Sequence, residues 1–281
     1  MKKGVMITLG MFFLASVVFS LGILMFHNTK SLNDRFGELA LFDRLYELDS
    51  SIGMGLRRIF DYRSGLAVDV YNESVVFTET LPRSSNFGNV MDQFKSYVED
   101  NYNVSPKVVF DSSVYSSVKN KLTLNVEPKG IVYTHDAFGD EEIMVSPQSV
   151  DDVKSYVITI TSTAQSATIT WNYVSSGSMP FTIKVEHSSG SLSSTVNVNP
   201  AAYSSAYVLL SYPSTWRIDI DINNPAMMNL STKDNHDVIF STNITMNIPQ
   251  DERIIVTYPQ NLYNITFPES NLTKFSTARI A

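Results

Sequence analysis

The residues best able to do chemistry lie in two short stretches. His135-Asp136 and Asp140-Glu141-Glu142 place an imidazole and four carboxylates within eight positions around Gly139. Such a loop offers oxygen ligands to a cation, or acceptors to a hydroxylated ligand. Glycine and a run of charges also mark an ordinary solvated turn, and that is the expected state. Further on, Asp219, Asp221 and Asn223 alternate with isoleucines, so they share one face of an extended strand. A strand spreads such groups ~6.6 Å apart, too far for one Ca²⁺ without a loop to gather them. A solvated sheet face is expected there.

The remaining chemistry is sparse. His27, His135, His187 and His236 form no close pair, and the chain has no H-E-x-x-H, G-x-S-x-G, P-loop or G-x-G-x-x-G. It has no cysteine, which excludes thiolate metal sites, redox pairs and Cys nucleophiles. The sequence therefore assigns no catalytic, cofactor-binding or metal residue, and the expectation is a protein that is not an enzyme. Six N-x-S/T sequons, at Asn72, Asn103, Asn229, Asn243, Asn264 and Asn271, are glycosylation candidates if they lie outside the cell.

Charge narrows the partners. Of 21 basic and 28 acidic residues, three bases and no acids fall in the first 30 positions, so residues 31–281 carry a formal −10. A nucleic acid would be repelled, and no basic patch offsets this.

One stretch organises the rest. Val5 to Phe26 is 22 residues without a charge. As a helix it measures ~33 Å, matching a ~30 Å hydrocarbon core, and only a helix satisfies its own backbone there. Lys2 and Lys3 precede it, which predicts a cytoplasmic N-terminus, a single pass and an extracellular head. The run exceeds an ordinary signal-peptide core and lacks a small-residue cleavage site after Phe26, so an uncleaved anchor in membrane lipid is expected.

Lys2-Lys3-Gly4 followed at once by this run resembles the class III signal of archaeal type IV pilins and archaellins. The resemblance implies a peptidase site at Lys3, Gly4 and Val5, a retained apolar helix that packs with other pilin-like subunits, an amphipathic continuation and a β-rich head. Leu9 stands where many pilins carry an acid, and the chain is longer than most major pilins. The resemblance thus implies a minor pilin-like subunit, or an anchored surface protein such as an adhesin.

Four parts follow from the patterning. Residues 1–30 are the anchor. Residues 31–63 are an amphipathic helical stalk, with Leu32, Phe36, Leu39, Phe42, Leu45, Leu48, Ile52, Leu56 and Ile59 recurring at a mean spacing near 3.4. That period suits a partner helix, but packing on the protein's own β head is the expected state, because most amphipathic helices are core elements. Residues 64–145 mix strands at Leu66–Tyr71, Ser74–Thr78, Lys107–Phe110, Lys121–Val126 and Gly130–Thr134 with one helix, Phe87–Tyr102, whose apolar side is Val90, Phe94, Tyr97 and Val98. Breaks are expected at Pro82 and Ser84-Ser85-Asn86.

Residues 146–281 are rich in Ser, Thr, Asn and β-branched residues. They predict hairpins Tyr156–Thr161/Ala167–Tyr173 and Phe181–Glu186/Leu192–Val198. Strands follow at Tyr207–Ser211, Trp216–Asn223, Val238–Ser241, Ile244–Ile248, Arg253–Tyr258 and Leu262–Phe267. The fold class expected is mainly β: a transmembrane helix running into an amphipathic one, then a β-sandwich-like extracellular head with one further helix. The function expected is structural or interactive. The alternative is a membrane-tethered enzyme acting on surface glycans or polymers.

Overall fold

A computed structural model describes residues 2–59, 65–81, 87–136, 141–233, 237–249, 251–258 and 261–276, with the backbone alone for residues 2–15, 17, 28–29, 31–38 and 119–120. The chain divides into two compact units, Met1–Ser50 and Ser51–Ala281.

The first unit is helix. It forms the larger part of α1 (Lys2–Ile59), which runs without a break through the uncharged stretch and the stalk. Nothing in the sequence before Ile59 stops a helix, since it has no proline and its glycines are isolated. Val18, Phe19, Leu21, Ile23, Leu24, Met25 and Phe26 are all exposed, whereas Leu45 and Leu48 of the stripe are buried. Among the described residues no helix is long and apolar enough to cross a membrane. The side chains of Lys3, Gly4 and Val5 and the predicted stalk end at 60–63 lie outside the described residues.

The second unit is mainly β. Its elements are the end of α1, β1 (Leu66–Val70), β2 (Ser74–Leu81), α2 (Phe87–Asn101), β3 (Lys107–Phe110), α3 (Ser112–Asn120), β4 (Lys121–Glu127), β5 (Ile131–Asp136), β6 (Glu141–Ser146), β7 (Val153–Ser162), β8 (Ser166–Tyr173), β9 (Ser176–His187), β10 (Gly190–Val198), β11 (Ser204–Ser211), β12 (Thr215–Asn223), β13 (Met227–Thr232), β14 (Val238–Met246), β15 (Ile255–Thr257), β16 (Tyr263–Phe267) and β17 (Leu272–Ser276).

Three sheets result. A six-stranded sheet has the order β1-β2-β14-β7-β9-β10, and an eight-stranded one β15-β4-β5-β6-β13-β12-β11-β8; β3, β16 and β17 form a third. Among the described residues all strand pairings are antiparallel except β7 with β9. The two large sheets face each other across one core, where Phe77 of β2 stacks on Tyr133 of β5 at 3.9 Å and Tyr156 of β7 donates to the Ala226 carbonyl. β2 pairs with β14, and β6 with β13, so strands from both sides of Ser146 interleave in both sheets.

Period two decides the core. In β12 Trp216, Ile218, Ile220 and Ile222 are fully buried while the residues between them are not. The β4–β5 turn places Gly130 at φ +61, a conformation that favours glycine.

Several expected pairings change. β7 and β8 are not a hairpin: both edges of β7 are taken by β14 and β9 in the six-stranded sheet, and β8 pairs with β11 at the end of the eight-stranded one. The β9–β10 hairpin forms as expected. Val238–Ser241 and Ile244–Ile248 are one continuous strand, since Ser241-Thr242-Asn243 keeps the alternation with Thr242 buried. There is more than one further helix. α3 is a second, capped by Asp111, whose carboxylate accepts from the backbone N–H groups of Ser113 and Val114. In α2 the buried residues are Phe87, Met91 and Val98, while Tyr97 points outward at 65 % exposure. The reason is local: the α2 face turns Phe94 toward Gly55 and Phe110, with a Cβ at Gly55 only 2.7 Å from the Phe94 ring. The breaks expected at Pro82 and Ser84–Asn86 lie outside the described residues.

Candidate functional site

The solvated acidic turn expected at 135–142 is instead, for its described members, part of the core. β2 carries Val75, Phe77, Glu79 and Leu81 on its buried side, so period two drives a carboxylate into the sandwich. Opposite it, β5 sends in Tyr133 and His135, and β6 sends in Glu141. His135 and Glu79 are each 1 % exposed.

The geometry is a chain of charge across the two sheets. Tyr133 Oη donates to Glu79 Oε1 at 2.8 Å. Glu79 Oε2 faces His135 Nδ1 as an ion pair, and His135 Nε2 meets Glu141 Oε2 at 2.6 Å. Both ring nitrogens therefore face carboxylate oxygens, and only an imidazolium can donate at both. Burial pulls the His135 pKa down, but the Glu79 charge and the hydrogen bonds from both carboxylates outweigh it and lift the group to about 9. Burial, and then the neighbouring Glu79 charge, push Tyr133 well above the usual phenol range, so it stays a neutral donor.

This arrangement does not suit a metal. The two carboxylates sit on opposite edges of one ring, so their oxygens share no point with a nitrogen lone pair. Among the described residues no group of three or more His, Asp or Glu side chains is placed to hold an ion. Asp136 pairs instead with Lys121 at 3.5 Å, Glu142 accepts from Asn229 Nδ2 at 2.8 Å, and Gly139 and Asp140 lie outside the described residues. A sealed imidazolium between carboxylates ties two sheets together by charge, and no substrate atom reaches it in this state.

The outward face of β12 behaves as its alternation implies. Arg217 grips Asp219 through Nε and Nη2 at 2.8 and 2.6 Å and lies over the Tyr207 ring. Tyr203 donates to Asp221 at 3.0 Å. Asp219, Asp221 and Asn223 are not drawn together.

Elsewhere in this unit a cleft of about 610 Å³ is lined by the β1–β2 turn (Tyr71, Asn72, Glu73) and by Ile248, Pro249, Glu252 and Arg253. Glu73 is tied to Lys154 at 2.9 Å. Its two walls lie some 180 positions apart in the chain, so no local sequence pattern marks this cleft.

No family model, curated protein or solved structure matches this chain.

The six sequons separate by backbone. Asn72, Asn103 and Asn271 are exposed and lie outside the named strands, Asn103 in a single bridge to Lys107 and Asn271 with a left-handed φ of +51. Asn229, Asn243 and Asn264 sit inside paired strands, half-buried, and the Asn229 amide nitrogen is already engaged with Glu142. The signal that could have exposed the Glu79–His135–Glu141 cluster was present too. In each strand a charged residue falls in register with the apolar side, and a single-strand reading gives it no partner.

Proposed function

We propose that this chain is a single-pass membrane-anchored surface protein with a structural or binding role, its N-terminus cytoplasmic and its β-rich unit extracellular. The observation that carries this is the exposed apolar surface of α1. Phe19, Met25 and Phe26 are each about 70 % exposed, and Val18, Leu21, Ile23 and Leu24 join them on all sides of the helix. Apolar area left in water costs ~25 cal/mol per Å², so this stretch calls for lipid or other helices. The uncharged run Val5–Phe26 has the length for either.

Within that reading, Lys3-Gly4-Val5 favours a minor pilin-like subunit that exchanges lipid for a filament core after cleavage. Loss of Lys2 and Lys3 removes two charges whose passage through hydrocarbon costs roughly 2.5–3.5 kcal/mol each. A binding role is preferred to a tethered enzyme because His135 is sealed and Glu73 in the cleft is engaged with Lys154. With the head outside the cell, glycans belong on Asn72, Asn103 and Asn271 rather than on the three strand positions.

Mass spectrometry of the chain recovered from alkali-washed membranes tests this. Wild type should begin at Val5, Gly4→Leu should keep Met1 or Lys2, and sugar should be confined to the three exposed sequons. A chain washed into the supernatant overturns the anchor. Identical N-termini in wild type and Gly4→Leu overturn the pilin branch and leave the anchor standing.

A further inference from the structure

The two ends of the six-stranded sheet differ. β1 is short and carries Asp69. β10 is nine residues, Gly190-Ser-Leu-Ser-Ser-Thr-Val-Asn-Val198, with no charge and no proline. It pairs on one side only, with β9, and its one register shift lies at the far end, between Asn197 and Val198. Along most of its length the other side therefore presents a row of backbone N–H and C=O groups. Sheet edges are ordinarily protected by lysine, proline, a bulge or shortness, and from Gly190 to Val196 this edge has none of them.

The strand is also nearly self-complementary. Leu192, Ser194 and Val196 point to the core side and are half-buried, whereas Ser191, Ser193, Thr195 and Asn197 point outward and are exposed. Ser194 lies at the middle and accepts from Trp171 Nε1 of β8 at 3.0 Å, so its rotamer is fixed. Placed antiparallel to a copy of itself about Ser194, the strand sets Leu192 against Val196, Ser193 against Thr195, and Ser191 against Asn197. Each position meets its own kind. The chain carries a formal −7, and the outermost strand on this side opposes no charge to itself. The nearest charges, Lys184 and Glu186, lie one strand in, on β9.

We infer that the β10 edge is a homodimer interface, in which two copies of this chain pair their β10 strands antiparallel about Ser194 and join their six-stranded sheets. A two-fold contact of this kind is isologous and closes at two copies. It adds a strand to each sheet in the manner of β-augmentation, with backbone hydrogen bonds giving affinity. It does not require the anchor, and it differs from association through α1, which would survive changes at β10.

The chain has no cysteine, so introduced ones report without background. Full-length Ser193→Cys chains are mixed with full-length Thr195→Cys chains in detergent and oxidised. The 193–195 cross-link should form at least about 100-fold faster than between chains carrying Ala67→Cys on β1, because pairing raises the local concentration. Sedimentation should give a lower stoichiometry for Ser193→Lys/Thr195→Lys than for wild type, a monomer against a dimer, while the far-UV circular dichroism spectrum of the lysine variant stays that of the wild type. A lysine variant that sediments with the same stoichiometry as wild type, or a 193–195 cross-link that forms no faster than the β1 pair, overturns the inference.

Discussion

Replacing His135 with alanine is expected to cost about 3–5 kcal/mol of stability, the range for a buried charge network that loses one partner. The substitution leaves Glu79 and Glu141 facing each other across a cavity, at 1 % and 9 % exposure, with no cation between them. Removing all three charges together, as Glu79→Met/His135→Leu/Glu141→Leu, should lose far less than His135→Ala alone, since no unpaired charge then remains buried. The pH profile has a definite sign. The folded pKa of about 9 stands above the ordinary 6.5, so the imidazolium's contribution is fully present below about 6.5 and is lost as the pH rises through 9. Denaturant midpoints measured from pH 6 to pH 9.5 should therefore fall for wild type and stay flatter for the three-fold variant. A wild-type midpoint that rises over this range would mean that the cluster is held neutral.

The second large effect lies in β12. Ile220→Asp should prevent folding of the β unit, whereas Asp221→Ala, one position on, should change stability by no more than ~0.5 kcal/mol. Ile220 is fully buried between Ala206 of β11 and Leu230 of β13, so a carboxylate there has neither water nor a cation. The Asp221 side chain faces outward, where it accepts from the exposed Tyr203 hydroxyl. Thermal melts of the two variants check the ranking, and the reverse order would mean that the strand is turned the other way.

These two sites also show what the sequence could and could not reveal. β12 was legible because Trp216 to Asn223 alternates without exception, and alternation is a property of one strand alone. The facing of Arg217, Asp219 and Asp221 followed from the same count. Glu79 was not legible as a partner of His135. The two lie 56 positions apart in the chain and on different sheets, and only the stacking of the sheets brings them together. β7 and β8 misled for a related reason: adjacent strands joined by a short connection usually pair, but here the chain crosses from one sheet to the other at Ala164, which is fully buried. β13 went unread because Asn223-Asn224-Pro225 signals a turn and Met227–Thr232 offers only two apolar core positions, Met228 and Leu230. α3 was hidden by the opposite problem. Its serines have weak helix propensity, and the Asp111 cap together with buried Tyr115 and Val118 stabilises it.

The central claim is that the β unit stands outside the cell, on a helix that enters the membrane. Protease added to intact cells tests it most directly. The account predicts that fragments from beyond Lys30 are released or digested, while the N-terminal segment through Phe26 stays with the membrane fraction. Complete protection of the β unit in intact cells, with cleavage only after lysis, would contradict it.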